Sequence, residues 1–324
     1  MNELKPAVLV TGGAGFIGSN LVDKLISNGR QVYVFDDLSA GKMNNLKDVK
    51  DSANLNFVKV DLKNKLELEE EIKNIENKSF SVYHLAGFVL ANVGTDPKRN
   101  SWQNNVDATY NLLESLKNSE KFNKKFYFSS SGAVYGNAKI SPTNENYGPL
   151  LPISIYASGK LACEGLVSTY CDNYQWKGVI FRFANVVGKN QGHGVIYDFI
   201  NKLKKNPNEL EILGDGMQSK SYMHVSDCVS AMLFAESLDL DSVNIFNLAS
   251  KNATTVDELA KIVIENVGLS IQKVNIKHTG GLSWKGDVTQ SMLDTNKIKS
   301  MGFAFSYDSN QSIGMTVKQL LETN

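Results

Sequence analysis

Cysteine is scarce in this sequence, which has three among its 324 residues. They are too few and too scattered along the chain for a disulfide framework or a tetrahedral zinc site. We therefore expect reduced thiols that pack in the interior, and no metal site. The three residues are Cys163, Cys171 and Cys228.

An excess of one charge is also absent, because 34 Lys and Arg residues balance 34 Asp and Glu residues. Without a basic excess the chain lacks the charge that binds a phosphate backbone, so we expect no nucleic-acid partner. No apolar run approaches 18 residues, which argues against a membrane-spanning helix. The N-terminal apolar run is short and interrupted by glycines, unlike that of a signal peptide, so we expect a cytoplasmic protein.

The chain does contain enough apolar residues, 42 %, for a sizeable core, and its length suggests about two domains. In its first half, short runs rich in Val, Ile, Phe and Tyr alternate with helical patterns. Strand, helix and strand at this spacing predict a parallel sheet that is covered on both faces. The predicted strands are Ala7–Val10, Gln31–Phe35, Asn56–Val60, Ser81–Leu85, Lys125–Ser129 and Gly178–Arg182.

The pattern changes after Arg182, where loops lengthen, glycines cluster and helices dominate. We predict an α/β fold with a Rossmann-type doubly wound parallel sheet over residues 1–182 and a smaller α/β domain over residues 183–324. Val243–Leu248 has the composition of a further buried strand. Residues near 219–248 are therefore expected to return to the first sheet.

The first predicted strand leads directly into a glycine triplet at Gly12, Gly15 and Gly18. Glycine at this spacing between a strand and a helix permits a sharp turn and a close approach to a pyrophosphate. Taken alone, the triplet is equally compatible with a glycine-rich turn that binds nothing. Asp36 ends the second strand, where a carboxylate accepts hydrogen bonds from an adenosine ribose. Because Asp36 and Asp37 would repel a 2′-phosphate, NAD is favoured over NADP.

Two further features have the residue types of a catalytic site. Tyr156 and Lys160 lie four residues apart in a helical stretch, so both project from one face. A fixed ammonium group together with a nicotinamide cation would lower the tyrosine pKa and make the phenolate a base near neutral pH. Ser131 follows a buried strand, where a hydroxyl can bond a substrate oxygen. Each feature alone is common, since such pairs and strand-end serines also occur without function.

In this order, the glycine triplet, Asp36, Ser131 and the Tyr156/Lys160 pair resemble the extended short-chain dehydrogenase/reductase family. Within it they resemble the NAD-dependent nucleotide-sugar 4-epimerases of the UDP-glucose 4-epimerase kind. The resemblance covers essentially the whole chain. Further matching segments are Asp61-Leu62, His84-Leu85-Ala86-Gly87, Asn105-Val106, Arg182-Phe183-Ala184-Asn185, His193–Asp198, Gly214–Gln218 and Trp284–Asp287.

The resemblance implies a role for each matching residue. Tyr156 is expected to be the base, Lys160 to hold the nicotinamide ribose and lower the tyrosine pKa, and Ser131 to bond the reacting sugar oxygen. The implied NAD-binding residues are Gly12, Gly15, Phe16, Ile17, Gly18, Asp36, Asp61, Leu62, Ala86, Gly87, Asn105 and Lys160. The implied UDP-sugar-binding residues are Ser131, Asn185, His193, Val195, Lys220, Asp287 and Ser291, although His193 in its glycine-rich loop is equally compatible with a structural role.

The reaction that the resemblance implies is 4-epimerisation of a UDP-hexose through a 4-keto intermediate, with NAD regenerated in each turnover. The alternative is a UDP-uronic acid 4-epimerase or another nucleotide-sugar oxidoreductase of this family. Dehydration and decarboxylation are disfavoured, because Gly132 and Ala133 stand where such enzymes need acidic residues. A scaffold without catalysis is disfavoured because the Ser, Tyr and Lys set is intact. The resemblance also implies a homodimer formed through helices that include the Tyr156 helix.

The chain departs from the family pattern at several binding positions. Lys220 and Trp284 stand where relatives often have Arg, which grips a diphosphate with two parallel bonds, whereas Lys offers a point charge. Lys285 is a candidate for compensation, and Val89 replaces a frequent Lys. Ser291 occupies a position where a Tyr restricts the sugar pocket in some relatives, so we hypothesise that it admits a 2-acetamido sugar. His84, in a strand-end motif, is expected to be structural rather than a base. His224 and His278 have no partners at metal-ligand spacing, so no metal site is expected there.

Overall fold

The computed structural model describes residues 6–76, 79–88, 97–281 and 290–322. The chain divides into two compact units, each assembled from three segments. Unit 1 comprises Met1–Val134, Ser154–Arg182 and Ser237–Phe246, and unit 2 comprises Tyr135–Ile153, Phe183–Glu236 and Asn247–Asn324. Over the described residues, no helix combines the length and apolarity that crossing a membrane requires.

The strands are short, as expected for an α/β protein. In chain order they are β1 Ala7–Thr11, β2 Val32–Asp36, β3 Leu55–Lys59, β4 Phe80–His84, β5 Phe122–Ser131, β6 Lys177–Phe183, β7 Asn185–Val187, β8 Glu209–Ile212, β9 Ser219–Lys220, β10 Tyr222–His224, β11 Val243–Leu248, β12 Thr254–Thr255, β13 Asn275–His278 and β14 Gln290–Ser291.

The helices range from one turn to about five turns. In chain order they are α1 Phe16–Ser27, α2 Lys65–Lys73, α3 Pro97–Trp102, α4 Ala108–Lys117, α5 Ile155–Tyr174, α6 Val195–Lys205, α7 Val225–Ser237, α8 Val256–Asn266, α9 Asn296–Ser300 and α10 Ser309–Glu322. A π-helical turn, Gln103–Asp107, joins α3 to α4.

Unit 1 is built on a seven-stranded parallel sheet in the order β11-β6-β5-β4-β1-β2-β3. Every residue of β1, β2 and β4 is buried, as expected of strands that are covered on both faces. The six predicted strands are all present, with ends shifted by at most three residues, and Val243–Leu248 joins the same sheet as one of its two edge strands. The predicted doubly wound parallel sheet is confirmed.

Unit 2 has its own apolar core, formed where three amphipathic helices meet. Phe199 and Leu203 of α6 pack with Leu259 and Val263 of α8 and with Ile313 of α10. The helix α8 begins at a capping box, in which the Thr255 hydroxyl accepts a bond from the Glu258 amide and the Glu258 carboxylate accepts one from the Thr255 amide. Short strands extend this core, and three of them, β12, β9 and β14, form one small sheet.

Candidate active site

The glycine loop of unit 1 is closely packed. Gly12 has φ +70°, and a Cβ there would lie 2.6 Å from the Ala86 nitrogen. A Cβ on Gly18 would lie 2.1 Å from the Gly12 carbonyl oxygen. Both positions therefore require glycine, Gly12 because the backbone at Ala86 passes against it and Gly18 because α1 packs closely on the end of β1.

The same loop leaves backbone donors for an anion. Helix α1 begins at Phe16, which Ile17 follows in the first turn. Its N-cap residue, Gly15, has no side chain to bond the amides of that turn. Such amides, together with the helix dipole, bind phosphate oxygens at the starts of helices. The cradle thus suits the pyrophosphate of a dinucleotide, and a side chain at Gly12 or Gly18 would close it.

Asp36 is fixed at the end of β2 by two backbone donors. Its Oδ2 accepts a bond of 2.9 Å from the Ala14 nitrogen, and its Oδ1 accepts one of 2.8 Å from the Leu38 nitrogen. Burial raises the pKa of Asp36, and these two hydrogen bonds oppose the rise. Each carboxylate oxygen has a further lone pair, so the group can also accept bonds from the two hydroxyls of a ribose.

Asp61 and Leu62 follow β3 beside Asp36. The Val60 nitrogen, one residue before Asp61, donates to the Asp36 carbonyl oxygen at 3.3 Å. The Leu62 carbonyl oxygen accepts a bond of 3.1 Å from the Asn111 amide of α4. The structure thus brings the end of β3, which leads into Asp61 and Leu62, beside Asp36, and all three are among the predicted NAD-binding residues.

Sequence reasoning missed Gly41, which also lies against Asp36. A Cβ on Gly41 would lie 2.8 Å from Asp36 Oδ1, so the loop after β2 needs glycine in order to pass the carboxylate.

A chain of hydrogen bonds centred on His84 links the glycine loop to the π-helical turn. The Ala86 nitrogen donates to Thr11 Oγ1 at 3.3 Å, and Thr11 Oγ1 lies 2.7 Å from His84 Nδ1. On the other side, His84 Nε2 lies 2.8 Å from Thr109 Oγ1. Thr109 gives its proton to the Asn105 carbonyl oxygen at 2.6 Å, so it accepts from Nε2. His84 is therefore a neutral structural residue with its proton on Nε2.

Asn105 holds the segment that contains Ala86 and Gly87. Its side-chain nitrogen donates to the Phe88 carbonyl oxygen at 2.9 Å, and its side-chain oxygen accepts from the Phe88 nitrogen at 3.3 Å. A Cβ on Gly87 would lie 2.9 Å from Asn105 Oδ1 and 3.0 Å from Lys160 Nζ. Gly87, Asn105 and Lys160, three of the predicted NAD-binding residues, are thus close together.

Helix α5 presents Tyr156 and Lys160 to the end of β5. The helix begins at Ser154, whose hydroxyl accepts a bond of 3.2 Å from the Ala157 nitrogen. Lys160, which is 4 % exposed, donates to the Ser129 carbonyl oxygen at 2.9 Å, and its Nζ lies 5.0 Å from the centroid of the Phe128 ring. Burial lowers the pKa of Lys160 to about 8. Lys160 is therefore mostly an ammonium ion at neutral pH.

Tyr156 forms a hydrogen bond with Ser131, as the expected roles of the two residues require. Burial raises the pKa of Tyr156 to about 12, and the bond with Ser131 opposes this rise. The phenol is therefore protonated at neutral pH, and it needs nearby positive charge to act as a base. The lowering of this pKa by Lys160 stays a prediction.

Three of the predicted UDP-sugar residues gather in unit 2. Ser291 of β14 and Lys220 of β9 are partners in a parallel pair, and the Ser221 nitrogen donates to the Ser291 carbonyl oxygen at 3.3 Å. The Asn185 nitrogen donates to the Ser221 carbonyl oxygen at 3.2 Å. These contacts place Asn185 and Ser291 on either side of the Lys220 segment.

Of the remaining predicted substrate residues, two lie at the start of α6. Gly194, with φ +97°, precedes Val195, the first residue of the helix. The His193 carbonyl oxygen accepts a bond of 2.9 Å from the Gln191 side chain. Asp287, Trp284, Lys285 and Val89 lie outside the described residues. Across the ranges that are described, no group of three or more His, Cys, Asp or Glu residues could hold a metal ion.

The family model that matches the chain is that of the NAD dependent epimerase/dehydratase family, over residues 8–249. The chain belongs to this family. A UDP-glucose 4-epimerase of Mycolicibacterium smegmatis is 31 % identical over 299 residues, which is 90 % of this chain and 91 % of that protein. The expected family and its cofactor NAD are confirmed.

Two solved structures of family members are similar in fold over nearly the full length of both chains. A UDP-glucose 4-epimerase of Thermotoga maritima with UDP-glucose is 32 % identical with a TM-score of 0.86, covering 98 % of this chain and 99 % of that one. A UDP-N-acetylglucosamine 4-epimerase of Methanobrevibacter ruminantium is 31 % identical with a TM-score of 0.85 over the same shares.

The buried state of His84 predicts a pH dependence of stability. Burial, with the Lys160 charge as a second cause, lowers the pKa of His84 to about 3, against about 6.5 when unfolded. As the pH drops below about 6.5, His84 binds a proton in the unfolded chain but not in the folded chain. The free energy of unfolding therefore decreases as the pH is lowered. Relative to His84→Gln, the unmodified protein should lose roughly 1.5 kcal/mol more between about pH 6.5 and pH 5. Urea unfolding at both pH values measures this loss, and equal losses in the two proteins would contradict it.

Proposed function

We propose that this protein interconverts the C4 epimers of a UDP-hexose, either UDP-glucose and UDP-galactose or their 2-acetamido forms. The observation that favours this activity most is the arrangement at the end of β5, where Ser131 bonds Tyr156 and Lys160 lies one helical turn further along α5. The 4-epimerase activities after which the similar family members are named support the same reaction class.

Unit 1 would hold NAD by the residues that fit it. The glycine loop and the first turn of α1 suit the pyrophosphate, Asp36 the adenosine ribose, and Lys160 the nicotinamide ribose. Bound there, NAD would supply hydride chemistry, that is, an acceptor for the hydride on C4 of the sugar and a donor for its return. When C4 loses the hydride, the hydroxyl on C4 must lose its proton for the ketone to form. The protein must therefore also supply a base.

Tyr156 is the proposed base, and Ser131 the residue that orients it. After losing its own proton, Tyr156 would act as a phenolate, taking the proton from the sugar 4-hydroxyl and giving it back to the ketone oxygen after the ketone has turned. The Ser131 hydroxyl, which already bonds Tyr156, would also bond the sugar oxygen. The buried Lys160 ammonium would stabilise the phenolate, since charges interact more strongly in a site that excludes water.

Unit 2 would bind the nucleotide sugar. Asn185, Lys220 and Ser291 come from neighbouring short strands, so their positions depend on the backbone pairing described above. Lys220 would supply a positive charge for the diphosphate, and His193, Val195 and Asp287 would complete the predicted set. The assignment of NAD to unit 1 and of the sugar nucleotide to unit 2 is part of the proposal.

A homodimer is a further part of the proposal, as is a cytoplasmic location. Unit 1 exposes large aromatic side chains on α3 and α4, with Trp102 43 % and Tyr110 45 % exposed. These two aromatic residues line one groove together with Val106 of the π-helical turn and Leu166 of α5. Exposed aromatic residues beside aliphatic ones are typical of protein interfaces, and this groove includes the Tyr156 helix.

The function is tested by cofactor retention and product analysis. The purified protein should release NAD on denaturation, and the native enzyme should convert UDP-glucose or UDP-GlcNAc to its C4 epimer. Tyr156→Phe should lower kcat by about 100-fold or more while keeping the fold, because it removes the proton acceptor. Tyr174→Phe, at the other end of the same helix, is the matched control and should be fully active.

Three outcomes would count against the proposal. Absence of any 4-epimer together with absence of retained NAD would refute it, and an active Tyr156→Phe variant would remove Tyr156 from its role. Epimerisation of UDP-glucuronate alone would replace the UDP-hexose with the uronic acid alternative.

The size of Ser291 predicts the sugar preference. Ser291→Tyr should reduce kcat/KM for UDP-GlcNAc about tenfold or more relative to UDP-glucose, because the ring would fill the space proposed for the acetamido group. Ser291→Ala is the control for loss of the hydroxyl and should keep the preference. Steady-state kinetics with both substrates measure the ratio, and an unchanged ratio in Ser291→Tyr would end the hypothesis.

A further inference from the structure

Three consecutive serines at the end of β5 each contact a different residue of α5. Ser131 bonds Tyr156, the Ser129 carbonyl oxygen accepts a bond of 2.9 Å from Lys160, and the Ser130 hydroxyl donates to Glu164 Oε1 at 2.5 Å. Tyr156, Lys160 and Glu164 follow one another at intervals of four residues, so they share one face of the helix. The helix therefore fixes the strand end at three successive residues.

Glu164 is the member of this face that the proposed chemistry does not use. Glu164 is 5 % exposed, and its partner Arg182 of β6 is 3 % exposed. Arg182 donates two hydrogen bonds to the Glu164 carboxylate, from Nε to Oε1 at 3.0 Å and from Nη2 to Oε2 at 2.7 Å. Burying two charges costs so much solvation that apolar residues of similar size often give equal or higher stability. A contribution to folding is thus a weak explanation for this pair, and its location suggests another.

Glu164 also acts on Lys160. On α5, Cys163 and, to a smaller extent, Glu164 raise the pKa of Lys160 against the larger effect of burial. From β4, the neutral His84 faces the same ammonium group, and from β5 the Phe128 ring and the Ser129 carbonyl oxygen contact it. Arg182 reaches the cluster from β6 through its bonds to Glu164. Glu164 is therefore the carboxylate that favours the charged form of Lys160.

We propose that Glu164, held by Arg182, is a positioning residue that aligns Ser130, and through it Ser131, with Tyr156, and that keeps a negative charge one helical turn from the Lys160 ammonium group. This proposal rests on the proposed function, in which Ser131, Tyr156 and Lys160 meet the substrate or cofactor. Without the Ser130 bond, the end of β5 could shift relative to α5, and the Ser131 hydroxyl would lose its alignment with the phenol.

The test separates the charge of Glu164 from its hydrogen bond. Glu164→Gln keeps an acceptor oxygen but removes the charge, Ser130→Ala removes the bond but keeps the charge, and Glu164→Asp keeps the charge on a shorter side chain. Glu114→Gln is the matched control, because Glu114 also pairs with a lysine, Lys117, and bonds a hydroxyl, that of Tyr170. An NMR titration of labelled lysine, assigned by comparison with Lys160→Met, reports the Lys160 pKa without substrate.

Glu164→Gln should lower the Lys160 pKa by at least half a unit from about 8 and lower kcat about tenfold with KM within twofold. Its activity should also decline at a lower pH on the alkaline side, since Lys160 loses its proton earlier. Glu164→Asp should restore the Lys160 pKa, and Ser130→Ala should leave that pKa unchanged while lowering kcat several-fold. Glu114→Gln should change neither quantity.

A folded Glu164→Gln protein with an unchanged Lys160 pKa and kcat within twofold would overturn the proposal. If that variant does not fold, Glu164→Gln combined with Arg182→Met leaves no unpaired buried charge, and the same titration decides. If the unmodified protein epimerises no UDP-sugar, the proposed function fails, whereas the Lys160 titration still confirms or refutes the effect of Glu164.

Discussion

The burial of charge at the carboxyl edge of the parallel sheet is the constraint on which the site depends. Lys160, Glu164 and Arg182 are each at most 5 % exposed, and His84 is fully buried. A charged or polar group in such surroundings must find its partners inside the protein. The strand ends supply these partners, so the same bonds that satisfy the buried groups also fix Ser129, Ser130 and the segment after β4.

The same burial shifts the pKa values of the two central groups, Tyr156 and Lys160, in opposite directions. It raises the pKa of Tyr156 to about 12 and lowers that of Lys160 to about 8. Taken together, the values describe a neutral phenol beside a cation that is close to losing its proton. Positive charge at the nicotinamide would favour the phenolate, whereas the Glu164 carboxylate favours the ammonium form of Lys160. In the proposed mechanism Tyr156 alone changes its protonation state, and Lys160 has to remain an ammonium ion in order to stabilise the phenolate.

The sequence reveals the parts of this arrangement that depend on local spacing. The glycine triplet, the alternation of strands and helices and the Tyr156/Lys160 interval are all short-range patterns, and the elements that they predict lie close to their expected positions. Partners across the fold leave no such pattern. Glu164 is visible only as a further residue on the Tyr156 face, and nothing in the spacing indicates that Arg182 and Ser130 meet it. The use of Asn105 to hold Phe88 is hidden for the same reason.

The most direct test of the central claim, that the sugar is oxidised and reduced at C4 on one enzyme, uses UDP-glucose with deuterium at C4. If the account is right, the UDP-galactose formed keeps the deuterium at C4, and the NAD content of the enzyme is unchanged after many turnovers. Loss of the deuterium to solvent, or formation of the product by inversion at any other carbon, would contradict it.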